Sequence, residues 1–505
     1  MLVVLLTSLG ATGVAAQPVF EVARDGSLVP EAVSGRLVVY LVREGSSIDA
    51  EPANGPFFSD PQPMLGVSVD RWLAGEVVAV GPGADRFPAD DLQPGVYRAQ
   101  AVLDRSRLRS SWREEPGNLY SSVVRFTFAD NDSDRVVRLD LERVTTLRSP
   151  PRAERVRFHT FESRLLTDAR RLGSVINVGV IEPIGFDPDR RYPVVYEVPG
   201  FGGTHLSAAR RAQRLAQADP GSGLGVLARN AFWVVLDPEG PNGHHLFYDS
   251  PCNGPVGSAL VHEIVPPIDL LYPTITEPGA RLLRGHSSGG WSVVHLAMAY
   301  PDAFGGAWSS APDPLGFTAF QAVDIYSDAS MYTGADGDPV PSYTTPDGMV
   351  RMTIADENAM ESVMGPANTS GQQWDSWQAV FGPCDESGRP ARLFDEATGA
   401  IDRGVAELYR RADPAERVRR DPAEAGRLAR QRVRIIVGDA DEFDLDRAVG
   451  RFAGALEPLR FGGEHGWIET VAGETHGSIL DSPAAERLRM DMVDHLGRSG
   501  HLPGQ

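Results

Sequence analysis

The sequence predicts an α/β fold with a mostly parallel sheet flanked by helices, preceded by an all-β domain of the Ig-like sandwich type. Short runs that alternate apolar and polar residues fill the first part of the chain, and this period of two marks half-buried strands. After residue 149, strand-like apolar runs alternate with helical stretches, which is typical of a parallel sheet covered by helices. A G-x-S-x-G motif lies between one of these strands and the helix that follows it, as in a nucleophile elbow.

Charge and composition exclude several classes of function. The chain has 505 residues, with 48 basic and 68 acidic side chains and a net charge of −20. Such an acidic surface repels nucleic acid phosphates, so we expect no nucleic acid partner. All of the basic residues are Arg, because the sequence contains no Lys. Schiff-base chemistry on Lys, a Walker-type phosphate loop and a catalytic Ser-Lys pair are therefore excluded.

The N-terminus predicts export. Residues 1–16 are mainly apolar and end in Val14-Ala15-Ala16, which is similar to a signal-peptidase site. We therefore expect a mature chain that begins near Gln17 and a periplasmic or extracellular location. No later apolar run is long enough to span a bilayer. Cys252 and Cys384 form one disulfide or remain as two buried thiols, since pairing cannot be deduced from sequence.

The predicted β-sandwich domain covers residues 17–148, and a linker over residues 149–155 begins with Ser149-Pro150-Pro151. Consecutive prolines make a stiff, extended connector. We expect the domain to have a structural or positioning role, although a ligand-binding role stays open. Its clearest strands are predicted at Arg36–Arg43, Val96–Leu103, Ser122–Ala129 and Arg135–Arg143.

The predicted α/β domain covers residues 156–505, and a cap-like insertion interrupts its alternation at about 313–431. Strands are expected at Ser174–Ile181, Pro193–Val198, Phe232–Leu236, Arg281–Arg284, Trp308–Ser310, Val433–Val437 and Trp467–Val471. Helices are expected at Leu206–Gln217, Trp291–Tyr300, Ile401–Arg411, Pro422–Arg430, Arg447–Leu459 and Pro483–Leu496.

Ser287 is the predicted nucleophile. It is the central residue of Gly285-His286-Ser287-Ser288-Gly289, which follows a strand and precedes a helix. In this context the turn exposes the Ser hydroxyl at the carboxyl end of the sheet, and the flanking glycines let the strand and the helix approach. The free N–H groups of the helix then supply positive potential to a developing oxyanion. We expect the backbone N–H of Ser288 to be one donor to that oxyanion.

A second oxyanion donor is expected from the loop that follows the strand Pro193–Val198. This loop reads Pro199-Gly-Phe-Gly-Gly203, and its glycines allow backbone amides to turn inward beside the elbow. Phe201 is the preferred donor, and Gly202 is the alternative.

The acid and the base are expected in two later loops, in the order Ser, acid, His. The segment after Val433–Val437 offers three aspartates, of which Asp441 is preferred because it lies past a glycine where the loop can turn back. Asp439 and Asp444 remain alternatives. The loop after Trp467–Val471 contains His476, which is the predicted general base.

These residues resemble the esterase branch of the α/β-hydrolases, which includes esterase D (S-formylglutathione hydrolase), enterochelin esterase and secreted enzymes of the feruloyl esterase type. The likeness lies in Pro188–Gly203, Tyr248–Asp269, Gly285–Pro312 and the pair Gly438–Leu445 and Gly473–Ile479. The resemblance implies the α/β-hydrolase fold, a triad of Ser287, Asp441 and His476, and an oxyanion hole made by the amides of Phe201 and Ser288. The family often has His where this chain has Pro199.

The predicted function is hydrolysis of carboxylic esters through an acyl-enzyme, on a small-molecule or polysaccharide-linked ester. This chemistry requires no metal and no organic cofactor. The alternatives are a serine peptidase or an acyltransferase on the same fold, or a catalytically inactive protein that binds carbohydrate or another partner.

Overall fold

The computed structural model describes residues 17–106, 109–129, 135–147 and 149–502. The predicted export signal, residues 1–16, lies outside these ranges. Contacts divide the chain into two compact units. The first contains the residues up to Ser106 together with Gly117–Thr145, and the second contains Arg107–Pro116 and Thr146–Gln505. The domain limits predicted from the sequence remain predictions.

The described part of the first unit consists of nine strands joined in one hydrogen-bonded sheet. Strands β1 and β9 run parallel, and the other pairs are antiparallel. Their order is β4-β1-β9-β7-β6-β2-β3-β5, with β8 also paired to β6. The β-rich character agrees with the sequence, while a two-sheet Ig-like sandwich remains a prediction. The strands are β1 (Val19–Arg24), β2 (Val33–Arg43), β3 (Met64–Trp72), β4 (Val77–Val80), β5 (Asp85–Phe87), β6 (Gly95–Asp104), β7 (Leu119–Ser121), β8 (Val124–Phe128) and β9 (Val136–Val144).

Alternation explains these strands. In β9 the side chains of Val137, Leu139 and Leu141 are buried, and the residues between them are exposed. Successive side chains of a strand point to opposite faces, so this pattern buries one face and leaves the other in water. The buried face joins a core that includes Leu37 and Phe126.

The second unit is built on a mostly parallel eight-stranded sheet with the order β10-β11-β13-β12-β16-β17-β20-β21. Only β11 runs opposite to its neighbours among these described strands. Two short hairpins accompany it. The strands are β10 (Val156–Glu162), β11 (Val175–Ile181), β12 (Val194–Val198), β13 (Phe232–Leu236), β14 (Glu239–Gly240), β15 (Gly243–His244), β16 (Arg281–His286), β17 (Gly306–Ser310), β18 (Pro341–Thr344), β19 (Val350–Thr353), β20 (Val433–Gly438) and β21 (Trp467–Val471).

Helices cover both faces of this sheet, as expected for an α/β-hydrolase fold. They are α1 (Arg164–Arg170), α2 (Ala208–Gln217), α3 (Gly223–Asn230), α4 (Val256–Ala259), α5 (Val265–Leu271), α6 (Ser288–Ala299), α7 (Ile354–Met364), α8 (Gln373–Phe381), α9 (Arg403–Tyr409), α10 (Pro414–Arg420), α11 (Arg427–Arg432), α12 (Leu445–Leu456) and α13 (Pro483–Arg498). Throughout the described ranges, every helix falls short of the length or the apolar character that a membrane span requires.

Strand β12 shows why the central strands are apolar throughout. Val195 joins the core on the face covered by α2, α3 and α13, whereas Val194 and Tyr196 join the core on the face covered by α4 and α5. A strand that is buried on both faces has no solvent-facing side and therefore no alternation.

The segment between β17 and β20 contains β18, β19 and α7–α11. Its interior is aromatic: Phe320 packs edge-on against Trp377 at 5.0 Å between ring centroids, and Trp377 packs in the same way against Trp374 at 5.0 Å. A disulfide joins Cys252, before α4, to Cys384, after α8. The question of pairing that the sequence left open is therefore answered in favour of the disulfide.

Candidate active site

Ser287 occupies a strained turn between β16 and α6. Its backbone has φ 57° and ψ −127°, a combination that non-glycine residues adopt only when the surroundings hold them there. The two flanking positions, Gly285 and Gly289, have no room for a side chain. A Cβ at Gly285 would lie 2.0 Å from the carbonyl oxygen of Gly289, and a Cβ at Gly289 would lie 2.0 Å from that of Val198. The G-x-S-x-G pattern is thus a packing requirement of this bend.

The predicted oxyanion loop passes directly beside the elbow. A Cβ at Gly200 would lie 3.2 Å from the Cβ of Ser287. The N–H of Gly203 donates to the carbonyl of Gly200 at 2.9 Å, and Gly202 has φ +71°, so Phe201 and Gly202 are the central residues of a tight turn. The amide of Phe201 therefore belongs to a tight turn beside the elbow.

The stem of this loop is held by His244, which sequence reasoning missed. His244 Nδ1 accepts from the N–H of Leu246 at 3.2 Å, so Nε2 carries the proton and donates to the carbonyl oxygen of Pro199 at 3.0 Å. Burial lowers the pKa of His244 to about 4, and the imidazole is therefore neutral at physiological pH. The residue that departs from the family pattern, Pro199, is thus fixed through its carbonyl.

His476 and Asp441 meet at the same edge of the sheet. Strands β20 and β21 are parallel neighbours, so the loops after them leave side by side. The Nδ1 atom of His476 lies 2.8 Å from Oδ2 of Asp441. The Asp441 side chain has no exposed surface, and its Oδ1 accepts from the N–H of Phe443 at 3.0 Å. The carboxylate is therefore fixed in one orientation.

The two alternative acids lie elsewhere. Asp439 accepts from the N–H of Gly473 at 2.6 Å. Asp444 precedes α12 with φ 57° and forms an ion pair with Arg447 at 3.1 Å. Of the three predicted candidates, Asp441 is the one that contacts His476.

His476 is packed against the elbow. Its ring centroid lies 4.6 Å from that of His286, the residue before Ser287, and 5.0 Å from that of Phe443. Its backbone N–H donates to Oε2 of Glu442 at 2.7 Å. Ser287, His476 and Asp441 therefore gather at one end of β16, β20 and β21.

Asp313 is a second residue that sequence reasoning missed. Its Oδ2 accepts from the hydroxyl of Ser288 at 2.7 Å and from Nε1 of Trp377 at 2.7 Å, and its side chain is buried. Burial raises the pKa of Asp313 to about 6, although both hydrogen bonds oppose this. A signal was present in the sequence, because Asp313 lies three residues after the end of β17, a parallel strand that neighbours β16.

The carboxylates around His476 determine its charge. Burial by itself lowers the pKa of His476, but Asp441, and then Asp313 and Glu442, outweigh burial and hold the pKa above the ordinary value of 6.5. Within the described ranges, no three His, Cys, Asp or Glu side chains are grouped so that they could hold a metal ion.

Comparison with known proteins identifies a similar family. Residues 169–393 match a family model described as "Putative esterase", which is 225 of the 505 residues. A comparison with curated proteins gives no match. The match confirms the resemblance found in the sequence.

Similar solved structures carry esterase and serine hydrolase titles. A ferulic acid esterase is 15% identical, with a TM-score of 0.40, over 68% of this chain and 99% of its own. An S-formylglutathione hydrolase from Agrobacterium tumefaciens is 14% identical, with a TM-score of 0.37, over 70% and 98%. The Staphylococcus aureus fluorophosphonate-binding serine hydrolase FphF is 12% identical, with a TM-score of 0.36, over 67% and 98%.

Proposed function

We propose that this chain, a carboxylic ester hydrolase that matches the "Putative esterase" family model over residues 169–393, cleaves its substrate with Ser287 as nucleophile, His476 as general base and Asp441 as the residue that orients the imidazole. The observation that carries the proposal is the 2.8 Å contact between His476 Nδ1 and Asp441 Oδ2, made by a histidine whose ring packs against the residue before Ser287.

The proposed reaction proceeds in two halves. His476 Nδ1 keeps its proton and donates it as a hydrogen bond to Asp441, so Nε2 is free to take the proton of the Ser287 hydroxyl as Oγ attacks the ester carbonyl. The C–O bond to the alcohol then breaks, and the alcohol leaves with the proton from Nε2. Water repeats the sequence on the acyl-enzyme, which releases the acid and restores Ser287.

The N–H groups of Phe201 and Ser288 are proposed to hold the oxyanion of each tetrahedral intermediate. The first lies in the turn beside the elbow, and the second is the first amide of α6. Each donor of this kind is worth about 3 kcal/mol of transition-state stabilisation.

The proposed nucleophile is tested with Ser287→Ala, assayed for p-nitrophenyl acetate hydrolysis and for labelling by a fluorophosphonate. We expect both to be lost. Ser292→Ala is the matched control, because Ser292 lies in α6, the helix that follows Ser287, with its hydroxyl donating to the carbonyl of Ser288 at 2.7 Å. If Ser287→Ala keeps its turnover or its label, the assignment is wrong.

We also propose that the protein is exported and that its mature chain begins near Gln17. The apolar residues before Gln17 support this, as does the Cys252–Cys384 disulfide, since such bonds persist in oxidising compartments. N-terminal sequencing of exported material tests the proposal, and a chain that still begins at Met1 would contradict it.

A further inference from the structure

A cavity of about 650 Å³ lies in the second unit, beside the candidate active site. Its walls come from the end of β12, from α2, from the end of β16 and from the segment that leads into α13. The residues that line it include Arg210, Arg211, Arg214, Arg284, Arg489, Glu197, Asp481, Gly200 and His286.

The cavity has a charge opposite to that of the whole protein. Five arginines face two carboxylates in its lining, whereas the chain as a whole carries a net charge of −20. A concentration of positive charge within an acidic protein creates a local field that attracts anions. Three of these arginines belong to a single helix, α2, in the sequence Ala208–Gln217.

One of the two carboxylates in the lining, Glu197, already forms ion pairs with arginines of the cavity. Glu197 Oε1 pairs with Arg211 and, at 3.2 Å, with Arg284. Burial raises the pKa of Glu197, but these guanidinium groups outweigh it and leave the pKa below its usual value. A single buried carboxylate therefore pairs with two guanidinium groups, so Glu197, Arg211 and Arg284 together carry a net positive charge.

Two of the three remaining arginines in the lining add to this positive charge. Arg489 is paired with Glu486 at 3.3 Å, but Arg210 and Arg214 form no ion pair with any described residue and are exposed. Burial, and then the neighbouring Arg211, lowers the pKa of Arg284 to about 10, so Arg284 still carries its charge at neutral pH. The buried Nε of Arg211 has no hydrogen-bond partner in the described part of the chain.

The cavity adjoins the reacting groups. Gly200 lines it, and a Cβ at Gly200 would lie 3.2 Å from the Cβ of Ser287. His286 also lines it, and the His286 ring contacts the ring of His476. An anion held here would lie next to the elbow and the oxyanion loop.

We propose that this cavity is a binding site for an oxyanion, a phosphate or a carboxylate group, which is either free or carried by the substrate. Guanidinium groups match such anions because their planar N–H forks donate two parallel hydrogen bonds to two oxygens. Arg210 and Arg214 form the exposed side of the site, and Arg211 and Arg284 form its buried side. The substrate version of the proposal rests on the proposed function, whereas the binding itself does not.

Binding is measured by calorimetric titration of the full chain carrying Ser287→Ala, with inorganic phosphate and with succinate as probes. Using the Ser287→Ala protein separates the two proposals, because binding does not depend on turnover. We expect saturable binding of at least one probe that weakens as salt is raised, since the attraction is between charges. Absence of binding by both probes would overturn the proposal.

The arginines are tested by Arg210→Gln with Arg214→Gln, both exposed side chains whose replacement leaves the core intact. We expect the affinity for the bound probe to fall at least tenfold. The matched control is Arg157→Gln with Arg164→Gln, which removes the same charge from exposed positions outside the cavity. Equal affinity in both double variants would show that the effect is one of net charge and would overturn the proposal.

Kinetics with proteins that keep Ser287, the wild type and the Arg210/Arg214 variant, separates the two sources of the anion. We compare the p-nitrophenyl monoester of a dicarboxylic acid with the neutral butyrate ester. If the anion belongs to the substrate, the ratio of kcat/KM for the charged over the neutral ester falls in the Arg210/Arg214 variant, and phosphate competes with the charged ester. If the anion is a separate ligand, phosphate binds without this competition and the ratio is unchanged.

Discussion

The backbone N–H of Asp313 donates a 3.2 Å hydrogen bond to the carbonyl oxygen of Ser287. The same residue accepts the hydroxyl of Ser288 at 2.7 Å through its carboxylate. Asp313 therefore contacts the elbow through both its backbone N–H and its buried carboxylate. It is also one of the carboxylates that hold the pKa of His476 above 6.5.

Replacing Asp313 should shift the pH dependence of hydrolysis. His476 must be neutral to accept a proton, so we expect the acid limb of the wild-type kcat/KM profile to lie above pH 6.5. Asp313→Asn removes a negative charge that favours the imidazolium, which lowers the pKa of His476 and moves the limb to lower pH. The measurement is kcat/KM from pH 5 to 9, and Asp302→Asn, an exposed aspartate, should leave the limb in place. An unshifted limb in Asp313→Asn would show that its charge does not act on His476.

The choice among the three aspartates is testable in the same assay. Asp441→Asn should lower kcat by about 10³–10⁴-fold, because an amide cannot stabilise the charged imidazole or fix its tautomer. Asp439→Asn is the matched control, since the Asp439 carboxylate accepts from the N–H of Gly473 rather than contacting His476, and it should lose less than about tenfold. The opposite ranking would transfer the acid role to Asp439.

The sequence predicted the sheet better than the helices, for a physical reason. Buried parallel strands such as β13 are continuous apolar runs between turn residues, so Phe232–Leu236 was found with its observed limits. Helix α6 was predicted to begin at Trp291 but begins at Ser288, because Ser-Gly-Gly has low helix propensity and only the packing of the elbow imposes the helix there. Helix α7 was missed although Thr353 and Asp356 form a capping box at its start.

The site was predicted to the extent that its residues follow strands. Ser287, Asp441 and His476 lie in the loops that follow β16, β20 and β21, one, three and five residues after the strands end. Their positions could therefore be inferred from the order of strands along the chain. His244 and Asp313 act through contacts with distant residues, Pro199 and Trp377. Such partners depend on how the insertion and the loops pack, which no periodicity in the sequence encodes.

Three buried carboxylates in the insertion should make stability fall as the pH rises. Burial raises the pKa of Glu357 to about 7 and of Asp375 to about 6, and raises that of Glu361 as well. A carboxyl whose folded pKa lies above its unfolded value stabilises the protein below the unfolded value and loses that contribution as the pH rises through the folded one. We therefore expect these three carboxyls to contribute less to the free energy of unfolding at pH 8 than at pH 5.

Glu357→Gln tests this, because the glutamine cannot ionise. The free energy of unfolding at pH 8.5 minus that at pH 5.5 should be more positive in Glu357→Gln than in wild type, by on the order of 1–3 kcal/mol. The measurement is urea unfolding at the two pH values. Glu386→Gln, an exposed carboxylate of the same insertion, should behave as wild type, and identical pH dependence in all three proteins would contradict the prediction.

The Cys252–Cys384 disulfide should stabilise the second unit by restricting its unfolded chain. The bond closes a loop across a sequence separation of 132 residues, and a crosslink over a loop of this size is worth about 5 kcal/mol in the chain-entropy model, with typical measured values of 2–4 kcal/mol. Cys252→Ser with Cys384→Ser should lower the free energy of unfolding by a comparable amount.

Urea unfolding of both proteins, with and without a phosphine reductant, measures this. The reductant should destabilise the wild type to the level of the variant and leave the variant unchanged. Thiol titration confirms that the wild type has been reduced. If the reduced wild type unfolds at the same urea concentration as the oxidised protein, the bond contributes nothing to stability.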